Sequence, residues 1–449
     1  MRILLSIFLG LLLAGVSPAR VDQEEAKKLQ GVLTPIGAER SGNQSGSIPK
    51  WTGGLQALPR GYQKGMVHTD PFSDDSVQFI ISSKNYREYK ENLSKGQIAL
   101  FERYPDSFQM PVYPTRRSAS YPQHVYQASL LNATTAELAR GGNGVRKATI
   151  TSPFPIPKSG LEAIWNHLLR YRTRGIKRKV GLAAPTSKGA YTMVTLQEQV
   201  FFPYHQVGAS VESVKNRLAY FLQTVSSPAR LAGTILLVHE TLDQNKEPRL
   251  AWTYNPGQRR VRRAPNVAFD YPGTASDNQA TMDQTDLFNG SPERYDWRLM
   301  GKQELFVPYN AYRLHSQELT PEQILIPGHL NPSHLRYELH RVWVVEATIK
   351  KGTSHIYAKK TYFLDEDSWG ILVADQYDGR EKIWRVSEAH YINYYEIPVV
   401  WSTLEVHYDL INGRYLAYGF NNQGPVEEFD FQGRKRDFTP QKLRRMGLR

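Results

Sequence analysis

Residues 337–377 read YELHRVWVVEATIKKGTSHIYAKKTYFLDEDSWGILVADQY and hold three successive candidate strands, Tyr337–Ile349, Ser354–Leu364 and Ile371–Tyr377. No helical pattern separates them, so neighbouring strands are expected to run antiparallel. The centre of the first strand, Val342–Val345, places apolar side chains on both faces, which indicates that neither face is open to much water. The stretch therefore predicts a large antiparallel sheet with both faces covered.

Two hairpins and two further strands, Gly233–Thr241 and Trp297–Tyr309, extend this sheet. Leu250, Trp252 and Tyr254 alternate with other residues, and the Asn255-Pro256-Gly257 sequence predicts a type II turn with positive φ at the glycine. Leu404–Leu410 alternates in the same way, and Asn412-Gly413 predicts a tight turn into the strand Arg414–Tyr418.

One segment, Ser159–Tyr171, has a clear helical pattern. Ser159 and Glu162 have the spacing of a capping box, and one side of the helix is apolar along its whole length, which requires a large apolar surface to pack against. A long sheet curls. We therefore predict a mainly β (α+β) fold, in which a large curved antiparallel sheet, a half-barrel, has helices packed in its concavity.

The first nineteen residues, MRILLSIFLGLLLAGVSPA, combine Arg2, a short apolar run and small residues near Ala19. This pattern is typical of a cleaved secretory signal peptide, and an uncleaved N-terminal anchor is the alternative. The chain has no cysteine, which excludes disulfides and the lipid-modified cysteine of bacterial lipoproteins. We predict an exported periplasmic protein without a lipid anchor.

The remaining chain divides by composition. Residues 20–65 are rich in Gly, Ser, Pro and Gln and predict an extended arm held by Trp51 and Leu55. Residues 66–430 are predicted to form a single curved-sheet domain, and residues 431–449 a basic C-terminal tail.

The formal net charge is +13, and the basic residues cluster at 170–179, at 259–263 and near the C-terminus. An exported protein seldom meets nucleic acid, so nucleic acid is excluded as a partner. We predict that Arg259, Arg260, Arg262 and Arg263, here called the arginine run, hold an anionic head group or dock to an anionic membrane surface. Solvated faces that only maintain solubility are the alternative.

Several stretches in order along nearly the whole mature chain resemble a bacterial periplasmic family, domain of unknown function 1329. They include LTPIGAERSGNQSGSIPKWTGGL, SPFPIPKSGLEAIWNHLLRYR, RLAWTYNPGQRRVRRAPNVAFDYPGTASD and WRVSEAHYINYYEIP. The resemblance implies a fold like that of the Lol-type (LolA/LolB-like) outer-membrane lipoprotein-sorting proteins. It also implies a hydrophobic-ligand carrier or chaperone, with an envelope transporter or outer-membrane protein as partner, but it supplies neither a ligand nor functional residues.

Catalytic motifs are missing from the sequence. There is no HExxH, GxSxG or phosphate-binding loop, and His334 and His340 have no metal-binding spacing. The Asp365–Asp367 acidic cluster lacks the alternating ligands of a calcium loop and instead predicts a hairpin turn closed by Gly370. We therefore predict a non-catalytic protein with no metal and no cofactor.

The 26 tyrosines and 8 tryptophans suggest an apolar container. The predicted lining of a hydrophobic ligand cavity is Trp165, Trp252, Tyr254, Trp343, Trp384, Tyr394 and Trp401. A lipid or acylated ligand needs a cavity of several hundred Å³. The alternatives are an adaptor of an envelope transporter that has no ligand of its own, and a glycan-binding protein.

Overall fold

The computed structural model describes residues 20–447, so the predicted signal peptide lies outside the described residues. Sixteen strands form one sheet, and two short strands, β3 and β4, form a separate ribbon. The strands are β1 Phe79–Ser82, β2 Gln109–Val112, β3 Glu137–Leu138, β4 Val145–Arg146, β5 Gly175–Ala183, β6 Val194–Phe201, β7 Arg217–Ser227, β8 Ile235–Thr241, β9 Leu250–Asn255, β10 Arg260–Arg263, β11 Tyr295–Pro308, β12 Tyr337–Ile349, β13 Lys359–Asp365, β14 Ile371–Tyr377, β15 Ile383–Tyr394, β16 Val399–Asp409, β17 Arg414–Phe420 and β18 Glu428–Phe429.

The large sheet consists of two antiparallel meanders. Strands β11 to β17 are neighbours in chain order, as are β5 to β10, and the two series join where β17 pairs with β5. Strand β2 meets β12 in parallel at one residue pair, β18 pairs with β5, and the strand path is open, with β10 at one end. The predicted fold class, a large curved antiparallel sheet with helices, is confirmed.

Most predicted strands and both predicted hairpins are present. Strands β12 and β14 have the predicted bounds, whereas β13 begins at Lys359 rather than at Ser354. The predicted type II turn is wrong in detail: Arg259, not Gly257, has the positive φ, at +52°. The hairpin loop is longer than expected, because Asn255 pairs with Arg260 across it.

The two faces of the second meander are distinct because successive strand residues project to opposite sides. On β8, Leu236 and Val238 belong to one side, here called face A. Leu237 belongs to the other, here called face B, together with Tyr220 and Leu222 of β7. Every residue of β8 is buried, so both faces are covered.

The helices are α1 Gln23–Lys27, α2 Lys95–Arg103, α3 Gln123–Thr135, α4 Gly160–Leu169, α5 Val211–Val214, α6 Tyr312–His315, α7 Pro321–Ile324 and α8 Pro440–Gly447. Helix α4 is the predicted helix; it packs against β11 and β12, α2 against β14 and β15, and α8 against β8 to β10. The predicted capping box of α4 is half formed. The Ser159 hydroxyl accepts the Glu162 N–H, but the Glu162 carboxylate accepts the N–H of Lys158.

The segment 20–65 carries α1 but no strand, and it is fixed to the turn between β13 and β14. The Trp369 indole donates to the Ile36 carbonyl at 2.8 Å, and the Glu39 N–H donates to Glu366 at 3.1 Å. Trp51 packs edge-on against Tyr126 of α3.

Candidate functional site

A partly open cavity of about 140 Å³ lies between face A and the loop that joins β10 to β11, residues 264–294. We call it the sheet–loop cavity. Strands β5 to β8, β16 and β17 form its floor, and the loop forms its roof. Because β17 pairs with β5, residues from both meanders meet in this one cavity.

The wall of the cavity is mainly aliphatic. Alternation on each strand places every second residue toward face A, and most of the residues there that line the cavity are apolar. The apolar lining residues are Leu182, Leu196, Val200, Phe202, Ala219, Phe221, Leu236, Val238, Val267, Ala280, Met282, Trp401 and Leu416. Such a surface favours the apolar part of a ligand over water.

Buried charges lie beside this apolar wall, where the roof meets the chain after α4. Asp286 accepts from Arg170 at 2.5 Å and from Arg172 at 2.9 Å. Burial alone would raise the pKa of Asp286, but Arg170, His167 and Arg172 lower it below its usual value. Burial and the nearby Asp286 charge raise the pKa of Glu405 above its usual value.

A second buried network lies on the floor around Glu198 of β6. Arg178 Nε donates to Glu198 Oε2 at 2.7 Å, and Gln223 and the Tyr418 hydroxyl donate to Oε1 at 2.8 and 2.5 Å. The Arg178 guanidinium lies 4.7 Å from the ring centroid of Trp401, a cation–π distance. The cavity therefore has a charged end next to an aliphatic wall.

Polar contacts fasten the roof loop to the sheet. Arg249 donates to Glu240 at 2.7 Å and to Asn289 of the loop at 3.0 Å. Lys360 of β13 donates to Asp283 of the loop at 2.8 Å. These contacts position the roof over the apolar floor.

Of the seven aromatic residues predicted to line a cavity, Trp401 lines this one. Trp252 and Tyr254 lie on face B, because Trp252 pairs with Leu237 and Tyr254 with Ile235 in the register of β8 and β9. Helix α8 covers them, and the Tyr254 hydroxyl donates to the Gly447 carbonyl at 2.7 Å. Alternation predicts that the two residues share a face but not which face it is.

The other four aromatic residues also lie away from the sheet–loop cavity. The Trp165 indole donates to the Gly142 carbonyl at 2.9 Å within the main core. Trp343 stacks on Trp369, and Trp384 donates to Asp409 at 3.1 Å. Tyr394 packs against His68 and Phe429. Apart from Trp401, the predicted aromatic residues do not line this cavity. Its wall is formed mainly by aliphatic residues.

The arginine run is exposed, with Arg259 in the turn before β10 and the other three members on β10, the strand at the end of the sheet path. Among residues 20–447 none of its four members forms an ion pair, and Arg263 lies over the Trp252 ring at 5.4 Å. In the basic cluster at 170–179, by contrast, the side chains of Arg170, Arg172 and Arg178 point inward and are buried or nearly so.

The acidic turn between β13 and β14 forms as predicted, with the Asp365 N–H donating to the Gly370 carbonyl at 2.8 Å. His340, Asp365 and Asp367 offer three ligand atoms within 4.8 Å of one another. However, both Asp367 oxygens accept from Arg117 at 2.7 Å, so a guanidinium already supplies the positive charge. The cluster fits an ion-pair network better than a metal site.

Sequence reasoning missed the aliphatic floor and Arg178. A signal for the floor was present in Gly233–Thr241, whose apolar residues occur on both faces. The sequence contains no such signal for Arg178, because a charged residue on the inner face of a strand has the same spacing as one on the outer face. No helix within the described part of the chain is both long and apolar enough to cross a membrane.

Several solved structures resemble this large sheet with helices. One is described as an outer-membrane lipoprotein-sorting protein domain from Vibrio parahaemolyticus, with 15% identity over 60% of this chain and 91% of that one and a TM-score of 0.41. A LolA superfamily protein from Nitrosomonas europaea has 13% identity over 60% of this chain and 92% of that one, with a TM-score of 0.36.

The family described as "Protein of unknown function (DUF1329)" matches residues 80–444, and the chain belongs to this family, as its sequence predicted. A curated relative, an uncharacterized protein of Pseudomonas aeruginosa, is 47% identical over 98% of this chain and 96% of its own length. A solved DUF1329 family protein from Desulfovibrio piger has 14% identity over 60% of this chain and 92% of that one, with a TM-score of 0.42.

Proposed function

We propose that this protein is a non-catalytic carrier or chaperone that binds the apolar chain of a lipid or acylated ligand in the sheet–loop cavity. The observation that carries the proposal is a partly open cavity with an aliphatic wall, between face A and the 264–294 loop. Apolar burial is worth roughly 0.8 kcal/mol per CH₂, or about fourfold in affinity, so binding needs no catalytic group.

The size of the cavity limits what it holds without rearrangement. About 140 Å³ is less than the several hundred Å³ expected for a lipid carrier. The cavity therefore suits a short apolar segment, and a long acyl chain requires the roof loop to move away from face A.

A chain-length series tests the proposal. Saturated fatty acids of six to sixteen carbons displace a fluorescent fatty-acyl probe, and affinity should rise about fourfold per CH₂ for the short members and then level off. Ala219→Phe, which fills the floor of the cavity, should weaken displacement at least tenfold. Ala57→Phe, at an exposed position, is the matched control.

The result separates the carrier from the adaptor. Affinity that does not depend on chain length, or equal displacement by Ala219→Phe and the unaltered protein, would exclude the sheet–loop cavity as the binding site. Absence of binding at every chain length would favour an adaptor that carries no ligand.

We further propose that the protein works in the periplasm after removal of residues 1–19, beside an anionic membrane surface or an envelope transporter. The exposed arginine run supports a docking role, since its four cations lie on or directly before one edge strand and form no ion pair within residues 20–447. The exposed Lys442, Arg444 and Arg445 of α8 add to it, because α8 packs beside β10. The basic surface lies at the sheet edge, separate from the charges inside the cavity.

A further inference from the structure

We infer that the sheet–loop cavity contains an anion subsite at Arg178, so that its ligand is an amphiphile with a carboxylate or phosphate head and an apolar tail. This inference rests on the proposed function and adds the chemistry of the ligand head. It comes from the hydrogen bonds that Arg178 makes and leaves unmade.

Arg178 has donor capacity that the protein does not use. Its Nε donates to Glu198, and its Nη2 lies 3.5 Å from the Tyr418 hydroxyl, the limit of a hydrogen bond. Within residues 20–447 these two contacts are the hydrogen bonds of the Arg178 side chain, and neither involves Nη1. The side chain lines the cavity and is 12% exposed, so unused N–H groups are available to a bound anion.

The Glu198 carboxylate accepts from Arg178 through Nε and not through Nη1. It is completely buried, and its two oxygens already accept from Arg178, Gln223 and Tyr418. Glu198 is therefore a fixed counter-ion on one side of the Arg178 guanidinium. A ligand anion would approach from the cavity side. The Trp401 ring lies there, with its centroid 4.7 Å from the guanidinium carbon.

The charges around the cavity also favour an anion. Four guanidinium groups, those of Arg170, Arg172, Arg178 and Arg249, are paired with only three carboxylates, Asp286, Glu198 and Glu240. The fourth carboxyl, Glu405, accepts from the Ser402 hydroxyl and the Asp286 N–H, and burial beside Asp286 raises its pKa. Burial lowers the pKa of His407 to about 3, so this residue adds no charge. These guanidinium groups would attract a ligand anion.

The positions of the apolar residues set the direction of the tail. Leu182 is four residues from Arg178 on the same face of β5, which spans about 13 Å. Leu196 of β6 and Leu416 of β17 line the same side of the cavity. The head would lie at Arg178 and the tail would extend toward Leu182.

Three probes with the same eight-carbon alkyl tail test the subsite by calorimetric titration at pH 7.5: nonanoate, octyl phosphate and octanol. We expect the unaltered protein to bind at least one of the two anions ten times more tightly than octanol. The tighter anion identifies a carboxylate or a phosphate head. The double variant Arg178→Met/Glu198→Gln removes the pair together, so no carboxylate is left uncompensated, and it should bind all three probes within threefold of one another.

Two further variants make the test specific. Arg178→Lys retains the charge and should retain a preference for the anion, even if the double variant fails to fold. Arg260→Met, which removes an exposed arginine from β10, should leave the preference unchanged.

Equal binding of octanol and both anions by the unaltered protein would overturn the anion subsite but leave the proposed function intact. A preference that persists in a folded double variant would overturn the assignment to Arg178. Absence of binding by all three probes would overturn both the subsite and the proposed function.

Discussion

Single residues show where sequence patterns stop being informative. Arg170, Arg172 and Arg178 belong to the basic cluster at 170–179, yet the structure buries Arg170 and Arg172 and leaves Arg178 only 12% exposed beside the cavity. Asp286, the partner of Arg170 and Arg172, is more than a hundred residues away along the chain, and Glu198, the partner of Arg178, lies on the neighbouring strand β6. A sequence shows the charge but not a distant counter-ion, so the inward orientation could not be predicted.

The shared role of Asp286 predicts a large loss of stability in Asp286→Asn. The substitution keeps the shape of the side chain but leaves two buried guanidinium groups without a charged partner. We expect the free energy of unfolding to fall by about 3–5 kcal/mol in urea denaturation. Asp437→Asn breaks an exposed ion pair with Arg434 and should cost less than about 1 kcal/mol. Similar losses in the two variants would show that Asp286 is not a buried hub.

Glu388 gives the protein a specific dependence on pH. Burial raises its pKa to about 7, although Gln97 and the Tyr337 hydroxyl donate to its carboxyl group. Between pH 4.5 and 7 the folded protein keeps this proton while the unfolded chain releases it. The contribution of Glu388 to stability is therefore greatest below pH 4.5 and is lost as pH rises to 7.

Glu388→Gln should remove this contribution. Relative to the unaltered protein, the variant should gain stability as pH rises from 4.5 to 7, by an amount on the order of 3 kcal/mol. Urea denaturation at several pH values measures the difference, and Glu88→Gln, at an exposed position, is the control. A stability difference that stays constant over this range would contradict the assignment.

Secondary-structure elements were predicted better than the contacts between them. The bounds of β12 and β14 and both hairpins follow from period-two patterns and turn residues, which are local signals. The 264–294 loop has no periodic pattern, and its position depends on ion pairs with β13 and with the chain after α4, and on the hydrogen bond from Arg249 to Asn289. Its role as a roof could not be read from its own residues.

Helix α8 is predicted to be a structural cover for face B rather than a free basic tail. Leu443 is fully buried and packs with Tyr254, whereas Arg444 is exposed. Leu443→Asp should lower the free energy of unfolding by about 2–4 kcal/mol and make the C-terminus sensitive to protease. Arg444→Asp is the matched control and should change neither property. Equal behaviour of the two variants would mean that α8 does not stabilise the sheet.

At the scale of the whole molecule, the sequence predicted the fold class and the family but not the position of the cavity. The cavity depends on the join between β17 and β5, which brings Arg178 close to Trp401 although more than 200 residues separate them in the chain. Local sequence patterns do not show which distant strands pair with each other. The curved sheet was therefore predictable, whereas its lining was not.

The basic edge of the molecule predicts salt-dependent docking. Exposed cations near an anionic membrane are worth about 1 kcal/mol each and are screened beyond a Debye length of ~8 Å at physiological ionic strength. Replacing the whole arginine run with serine should weaken binding to anionic vesicles and flatten its dependence on salt, as measured by vesicle co-sedimentation. A control variant replaces four exposed basic residues elsewhere with serine: Arg60, Lys64, Lys84 and Arg87. Equal binding by the two variants would show that the arginine run is a solvated surface without a specific role in docking.

Mass spectrometry of the small molecules that remain bound to protein purified gently from the cell envelope tests the central claim most directly. The unaltered protein should retain an amphiphile with an apolar chain and an acidic head, in a molar ratio near one, and Ala219→Phe should retain much less of it. An unaltered protein without such a molecule, or an equal amount in the folded Ala219→Phe variant, would contradict the claim that the sheet–loop cavity is a ligand-binding site.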